Sequence, residues 1–200
     1  MAGHRALAAV GRSVVELLNR RIDEELAPAR RPLAVLAGTQ DFDRVNSAPN
    51  AVIRFPALSV YCCRLSVDRE TRPGWSSVAS IDGIARLPLR MHLLLMAWDE
   101  FVENELEWLG LAMRILDSEP ILSGPLLDPS GEWDDGDVIQ IVADDIALEE
   151  LSEAFEALTT DFRLSMPYLA RVIRIDGTAA RGAGDVATVG LASEQMPSLL

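Results

Sequence analysis

The sequence predicts an α+β fold, a single domain in which a mixed or antiparallel β-sheet has about three helices packed on it. Helical and strand periodicities alternate along the chain in the order α, several β, α, β, α, β. With 200 residues and 49% hydrophobic content, the chain can bury one sizeable core. We therefore expect one domain over residues 1–176, followed by a Gly- and Ala-rich tail or arm over residues 177–200.

The first predicted element is an amphipathic helix over residues 5–26. Apolar residues recur there at helical spacing, and arginines occupy much of the remaining surface. Pro28 and Pro32 end this helix, because proline cannot continue the helical hydrogen bonds and disfavours helix in the residue before it. A short strand over residues 33–37 is expected next.

Two further strands are predicted in the middle of the chain. Residues 51–55 and 58–67 have strand character and are separated by Pro56, which predicts one interrupted strand. Residues 84–98 form a longer apolar segment with successive leucines, so we expect that strand to be buried on both faces at the centre of the sheet. His92 lies inside it and is expected to be a packed or hydrogen-bonded strand residue.

The connection over residues 68–83 is long and polar, and it contains Trp75. Connections of this length are usually functional or disordered. A tryptophan in such a connection either packs against its own domain or anchors a partner, since Trp is enriched at the energetic centres of interfaces. Both interpretations stay open, and Trp75 is kept as an interface candidate.

A second helix is predicted from about residue 99 or 100 to 116, and Pro120 ends it. Its apolar stripe is expected to pack on the sheet, with a coiled-coil seam as the alternative; the stripe consists of Val102, Leu106, Leu109, Met113 and Leu116. Residues 124–137 follow as an acidic loop with several glycines and prolines. Residues 138–143 are predicted to form a short strand.

The remaining part of the domain, residues 144–176, predicts a helix, a short turn and a strand. One apolar stripe consists of Leu148, Leu151, Phe155 and Leu158, and glutamates including Glu149 and Glu153 fill the opposite side. After the polar break at residues 159–161, aromatic and β-branched residues predict a strand over Tyr168 to Ile175.

The order of several motifs resembles a known family. LEELSEAF, a short turn and LSMPYLARVIRID are similar to the C-terminal signature of the tail-terminator or cap proteins of phage-tail-like contractile injection systems. Two upstream segments, ALSVYCCRLSVDRETRPG and LPLRMHLLLMAWDE followed by NELEWLGLAMRILDSEPILSG, resemble the paired strands and the helix of that family. The resemblance covers roughly residues 5 to 176, and the order and spacing of the motifs support it more than any single motif.

This resemblance implies a structural protein. The expected protein is a homo-oligomer, a hexameric ring that closes the inner tube of the contractile particle, holds the last sheath layer and stops polymerisation of the tail. Its implied partners are the tube and sheath proteins and further copies of itself. A soluble α+β adaptor that binds a basic partner through an acidic face is the alternative.

Charge and composition exclude other classes. A formal net charge of -13 argues against nucleic-acid binding, which needs a basic face. No apolar run reaches the length of a membrane span, and the first residues lack a signal-peptide pattern, so we expect a cytoplasmic protein. The adjacent Cys62 and Cys63 should point to opposite faces of a strand and form no disulfide, in keeping with a reducing compartment.

No catalytic, cofactor or metal residue is predicted. The chain has no phosphate-binding glycine loop, no nucleophile elbow and no HExxH motif. The carboxylates of residues 134–137 and 144–145 could in principle hold Ca²⁺ or Mg²⁺. Their spacing does not match an EF-hand loop, and a solvated acidic loop explains them better.

Charge segregation suggests where subunits meet. No Lys, Arg or His occurs from residue 115 to 162, whereas all 18 basic residues of the chain are arginines. Codon bias explains this usage, and so does pairing of arginines with carboxylates across an interface. One hypothesis pairs Arg12, Arg20 and Arg21 with the helix that contains Glu149 and Glu153 of the next subunit.

A second hypothesis concerns strand contacts. Unpaired backbone groups at a sheet edge accept a strand from another chain. The strand from Tyr168 and the tail are therefore expected to contact sheath or neighbouring cap subunits, which makes interface candidates of Tyr168, Arg171, Arg174, Val186 and Val189.

Overall fold

The computed structural model describes residues 3–76, 84–156, 158 and 161–177. The helices are α1 (Ala6–Glu25), α2 (Thr39–Phe42), α3 (Val102–Ser118) and α4 (Leu148–Glu156). The strands are β1 (Leu33–Ala37), β2 (Ala57–Val67), β3 (Arg86–Trp98), β4 (Ile121–Ser123), β5 (Val138–Ala143) and β6 (Ser165–Asp176). Short 3-10 turns lie at Pro28–Arg30, Arg72–Trp75, Gly124–Leu126 and Pro129–Gly131.

The six strands form one mixed sheet in the order β1-β2-β3-β6-β5-β4. β1 runs parallel to β2, and all the other neighbours are antiparallel. The predicted α+β class with a mixed sheet is therefore confirmed. The described part of the chain also contains α2 and β4, two short elements that the periodicity of the sequence did not predict.

β3 lies in the interior of the sheet, as its apolar sequence predicts. Leu93 and Leu95 face one hydrophobic cluster, and Leu94 and Met96 face a second cluster on the other side. All four side chains are fully buried. A strand covered on both faces needs apolar residues at successive positions, and this explains the leucine run.

The helices cover both faces of the sheet. α1 and α3 pack on the first face, where Val14 and Leu17 of α1 meet Ala112 and Ile115 of α3 in one cluster with the sheet. α2 contributes Phe42 to the second cluster, α4 contributes Leu151 and Phe155, and Leu158 lies just after α4. The predicted apolar stripe is thus confirmed at Leu151, Phe155 and Leu158.

Residues 51–55 are not a strand, contrary to the prediction. β2 begins only at Ala57, after Pro56, which has no N–H to donate to a ladder. Pro56 instead accepts a hydrogen bond at its carbonyl oxygen from Leu33 N (3.1 Å), and the buried Ile53 inserts into the second cluster.

The buried face of α3 differs from the predicted stripe. Leu109 and Leu116 are buried, but Val102, Leu106 and Met113 are 66%, 53% and 37% exposed. The buried side also contains Trp108, Leu111, Ala112 and Ile115. The heptad-spaced residues therefore lie on a side of α3 that is turned partly away from the sheet. Part of the apolar surface of α3 consequently faces outward.

Candidate assembly surfaces

Three of the predicted interface residues lie together at one cavity. Trp75, at the end of the 3-10 turn Arg72–Trp75, lines a cavity of about 380 Å³ with Arg171 and Arg174 of β6. Trp133 and residues 136–140, which lead into β5, complete its lining. We call this cavity the tryptophan cleft. Trp133 is not among the residues predicted from the sequence, although an aromatic residue in an acidic loop was a visible signal.

The arginines of the tryptophan cleft pair within the chain. Arg174 Nη2 lies 2.6 Å from Asp134 Oδ2 and 3.4 Å from Asp137 Oδ1, which ties the acidic loop to β6. Arg171 donates from Nε to Gln140 Oε1 at 3.1 Å. These contacts hold the acidic loop close to the sheet. Any partner in the cleft would meet aromatic surface flanked by both signs of charge.

Two of the three α1 arginines also have partners in their own chain. Arg12 Nε donates to Asp128 Oδ2 at 3.0 Å, and Arg21 Nη1 donates to Glu24 at 2.6 Å with a further pair to Glu119. Arg20 is exposed. The proposed pairing of these arginines with a neighbouring subunit therefore stays a prediction, and Arg20 is the residue most accessible for it.

Asp128 organises the connection between β4 and β5. Its backbone N–H donates to Ser13 Oγ of α1 at 2.7 Å, and its carbonyl oxygen accepts from Trp133 Nε1 at 2.7 Å. Its carboxylate accepts from Ser130 N at 3.0 Å and pairs with Arg12. The hydrogen bond from the Ser130 hydroxyl, and then the bond from Arg12, hold the pKa of Asp128 below its usual value.

The glutamates of α4 lie on the opposite face of the sheet from the α1 arginines. Glu149 and Glu153 are exposed, while α4 packs on the second face through Leu151 and Phe155. Because the two helices belong to different faces, a pair between them within one chain is excluded by the sheet. Contact between the α1 arginines and these glutamates would require a second subunit.

β6 is an internal strand over its first half, which corrects the strand-edge interpretation there. Tyr168 is 4% exposed, and residues 168–170 pair with β3 on one side and β5 on the other. The terminal position of β6 in the chain does not make it an edge of the sheet, since the long-range pairing of β5 covers it. Val186 and Val189 lie outside the described residues.

The structure also brings together an exposed apolar surface that the sequence analysis missed. Arg163 Nη1 contacts Glu105 Oε1 at 2.8 Å and so joins the segment before β6 to the start of α3. Exposed apolar residues flank both partners, and we call this set the apolar patch: Phe101, Val102, Leu106, Phe162 and Leu164, each at least 53% exposed. Contiguous exposed apolar surface is typical of interaction sites, so the apolar patch is a candidate for one.

His92 is packed and hydrogen-bonded, as expected. It is 6% exposed, and its Nδ1 lies 2.9 Å from Asp144 Oδ2 while its Nε2 lies 3.1 Å from Ser66 Oγ. This chain of contacts joins β2, β3 and the segment that leads into α4. It fixes the position of α4 over the second face of the sheet.

The two cysteines have the predicted arrangement. Cys62 packs against the first cluster and Cys63 against the second, and both are free thiols. Burial, followed by the neighbouring Cys63, raises the pKa of Cys62 to about 11, so its thiol stays protonated at neutral pH. Within the described ranges, no group of three His, Cys, Asp or Glu side chains could hold a metal ion.

Two solved structures share this fold. The sheath/tube terminator of the PVC extracellular contractile injection system, in its extended state, superposes with a TM-score of 0.54 at 15% identity. It aligns with 96% of this chain and 64% of its own length. The tube-terminating cap of the anti-feeding prophage gives a TM-score of 0.51 at 14% identity over 92% of this chain and 60% of its own. The chain thus spans less than two thirds of either protein.

A family model matches this chain, whereas no curated protein does. None of the helices in the described part of the chain is long and apolar enough to cross a membrane. The sequence model of the Pvc16 N-terminal domain covers residues 9–188, which confirms the resemblance to tail terminators of contractile injection systems. The chain therefore belongs to the Pvc16 N-terminal domain family.

Proposed function

We propose that this protein caps a contractile injection system: it binds the end of the inner tube, anchors the last sheath layer and so ends tail polymerisation. The observation that supports this most directly is its family, together with a fold shared over nearly the whole chain with two terminators of such particles. A tube is a stack of rings whose top ring offers an unpaired face. A terminator must match that face and offer no equivalent surface above it.

The proposed assembly is a hexameric ring formed in the cytoplasm, before or while the particle is completed. Rings arise when one surface of a subunit binds a different surface of the next and the rotation closes. The charge distribution of this chain suits such a contact, because the α1 arginines and the α4 glutamates lie on opposite faces of the sheet. Opposite charges placed this way favour one register and disfavour others.

The apolar patch is the proposed contact with the tube. Its five side chains lie at the end of the sheet where β3 finishes and β6 begins, and Glu100, Glu103 and Asp161 beside them are exposed. A tube surface with an apolar centre and a basic rim would complement it. Both related structures end tubes, so the tube is the occupant that we assign to this patch.

Co-assembly with the tube and sheath proteins tests the proposal. The purified protein is added to tube and sheath in a polymerisation assay, and tube lengths and sheath attachment are measured by negative-stain electron microscopy. We expect shorter, capped tubes with a six-fold end. Unchanged tube growth at saturating protein would exclude the cap function and favour a soluble adaptor that binds a basic partner.

The apolar patch has a matched control. Leu164 is 53% exposed within the patch, whereas Ile121 is 53% exposed on the edge strand β4, beyond the other end of α3. Leu164→Ser should weaken tube capping at least tenfold, since an exposed leucine that becomes buried contributes about 1.5–3 kcal/mol. Ile121→Ser should not. Equal effects of both changes would argue against the patch as the tube contact.

The ionic contact is tested by charge reversal. Glu149→Arg and Glu153→Arg together should weaken ring formation, and the effect should grow as the salt concentration falls. Adding Arg20→Glu should restore part of the loss if Arg20 faces α4 of the next subunit. Normal assembly of the double variant at all salt concentrations would remove this contact from the proposal.

A further inference from the structure

We propose that residues 186–191 of one copy of this chain add as a short strand to the sheet of the neighbouring copy, along residues 64–67 of β2. We call these four residues of β2, with the cavity beside them, the β2 notch. The inference rests on the proposed ring and names the contact that links its subunits. Only one short segment enters the notch, so every strand of each sheet keeps the neighbours that it has within one copy.

The β2 notch begins where β1 stops. β1 pairs only with the first part of β2, and its last residue, Ala37, lies opposite Tyr61. β2 continues to Val67, with an irregularity in its pairing to β3 between Cys62 and Arg64. Among the described residues, no backbone group bonds to residues 64–67 from the β1 side. The end of β2 is therefore open to a further strand.

The backbone groups of the notch point outward at alternate residues. Asp68 N donates to Pro88 O of β3 at 3.0 Å. Since the amide groups of successive strand residues point to opposite sides, those of Val67 and Leu65 point away from β3. The notch thus presents two N–H and two C=O groups at the spacing that a strand partner requires.

An apolar cavity lies beside these backbone groups. Its volume is about 530 Å³, and Leu7, Leu36, Leu65 and Met91 contribute to its lining. Leu65 is 47% exposed there. Because side chains of a strand alternate between its two sides, the strand that fits must carry apolar residues at every second position.

Residues 186–191, with the sequence VATVGL, have this alternation. Ala187, Val189 and Leu191 would lie on one side of a strand, and Thr188 and Gly190 on the other. The β-branched residues of the segment favour an extended conformation. The segment therefore offers three apolar side chains to the cavity and backbone groups to the open edge.

The position at which the described chain ends allows this segment to reach another subunit. Gly177, just after β6, donates from its N to Ala85 O at 2.8 Å, at the end of the sheet where β2 also finishes. The stretch from Gly177 to Val186 can span up to about 30 Å when extended. The two sheets need not touch for the contact to form.

Charge also favours this segment in the notch. Arg64, Arg69 and Arg72 are exposed at the notch or just after it, and the nearby carboxylates of Asp68 and Glu70 both pair with Arg90. Residues 182–200 contain two acidic residues and no Lys, Arg or His. An acidic segment is therefore attracted to the basic surroundings of the notch.

The connection between β2 and β3 favours a neighbouring copy as the donor of the segment. This connection leaves β2 at Val67, and Trp75 within it lines the tryptophan cleft with Arg171 and Arg174 of β6. It therefore lies across the route from the end of β6 to the notch of the same chain. A segment that arrives from another copy approaches the notch from outside the sheet and has no such crossing to make.

The other edges of the sheet suit the segment less well. The side chain of Asn19 donates to Ala34 O at 2.9 Å and accepts from Ala34 N at 2.8 Å, so it covers the outer edge of β1. β4, at the opposite edge, has only three residues. Short or covered edges are the usual protection against strand addition. The end of β6 lies beside Asp134 and Asp137, which would repel an acidic segment.

Substitutions on both sides of the contact test the inference. In the segment, Val189→Asp places a charge in the apolar cavity, whereas Thr188→Asp makes the same change of charge on the opposite side of the strand and is the matched control. In the notch, Leu65→Asp changes the cavity wall. Its control is Ile121→Asp, at a residue that is 53% exposed on the opposite edge strand β4.

Circular dichroism and thermal unfolding confirm that each full-length variant folds, and light scattering measures its mass over a range of concentrations. We expect the wild-type chain to form rings, and Val189→Asp and Leu65→Asp each to associate at least tenfold more weakly than their controls. Rings formed by these two variants as readily as by their controls would overturn the inference and leave the cap function standing. A wild-type chain that stays monomeric would also overturn it, while the tube assay above would still decide the cap function.

A mixing experiment tests whether the segment crosses between copies. Leu65→Asp retains the segment, and a chain from which residues 178–200 are deleted retains the notch. An equimolar mixture of the two should yield dimers, although each protein alone stays monomeric at the same concentration. A mixture that stays monomeric would show that the segment does not join one copy to the next, and the inference would fail.

Discussion

The contact between α1 and Asp128 offers the sharpest test of how this fold is held together. Asp128 is 8% exposed, and its carboxylate accepts hydrogen bonds from Arg12 Nε at 3.0 Å and from Ser130 N at 3.0 Å. Replacement by Ala removes both and leaves Arg12 with only its hydrogen bond to Ser130 Oγ among these contacts. The contact between Asp128 and Arg12 joins segments that are 116 positions apart in the chain.

The expected loss of stability follows from these contacts. The bond to Ser130 N is a cap of the 3-10 turn Pro129–Gly131 and contributes about 1 kcal/mol. The pair with Arg12 contributes about 1 kcal/mol or less, because the Arg12 side chain is 42% exposed and water screens it. Asp128→Ala should therefore cost about 2 kcal/mol at neutral pH, which for a chain of this length lowers Tm by about 4–8 °C.

The same contacts predict a dependence on pH. The pKa of Asp128 is lowered in the folded state, so its contribution to stability is complete above the unfolded pKa of about 3.9. The contribution is lost as the pH falls through the lower folded pKa. The difference between wild type and Asp128→Asn should accordingly be constant near neutral pH and shrink below about pH 4.

Urea unfolding of the wild type, Asp128→Ala and Asp128→Asn at several pH values measures both effects. Asp135→Asn is the matched control, since Asp135 is exposed in the same loop and should change stability by less than about 0.5 kcal/mol. A loss below about 0.5 kcal/mol for Asp128→Ala, or a loss that persists unchanged in acid, would refute this account of the contact.

Three further outcomes are expected. Ser59→Ala should destabilise the protein by about 1–3 kcal/mol in urea unfolding, because Trp98 Nε1, which donates to Ser59 Oγ at 2.8 Å, is left buried without a partner. Gly11→Ala should stabilise the protein by about 0.5 kcal/mol in thermal unfolding, because α1 gains helix propensity. The new methyl group would lie 3.0 Å from the partly exposed side chain of Leu36, which can move outward. Destabilisation by this substitution would show that Leu36 is fixed. Deleting residues 178–200 should leave thermal unfolding unchanged but weaken ring or sheath attachment, and normal particles from the deletion would remove the tail from the proposed contacts.

Local sequence patterns predicted most of the secondary structure. β1 and β5 have the predicted bounds, and α1 and β3 differ from them by two residues or fewer. These elements were predictable because their periodicities of 3.6 and 2 arise from side chains of neighbouring residues. The errors occur where packing overrules the pattern: heptad spacing in α3 selected Val102 and Leu106, which are exposed, and missed Trp108, which is buried.

The candidate surfaces were only partly predictable. Trp75, Arg171 and Arg174 were chosen separately from the sequence, and the fold brings all three to the tryptophan cleft. Trp133 completes that cleft, and no periodicity marks it. Arg12 was expected to face a neighbouring subunit, yet it has a partner in Asp128 of the same chain. A sequence gives the charge of a side chain, but only the fold gives its distance from the partners available to it.

The sequence by itself determined the class of fold, the central position of β3, the opposite orientation of the two cysteines and, through the order of its motifs, the resemblance to tail terminators. Only the tertiary structure decided that β6 lies between β3 and β5, that Tyr168 is buried, and that β2 and β6 extend beyond their outer neighbours. The reason is physical. Periodicity reports contacts between residues close in the chain, whereas strand order and free edges depend on pairings between distant segments, which only the collapse of the whole chain selects.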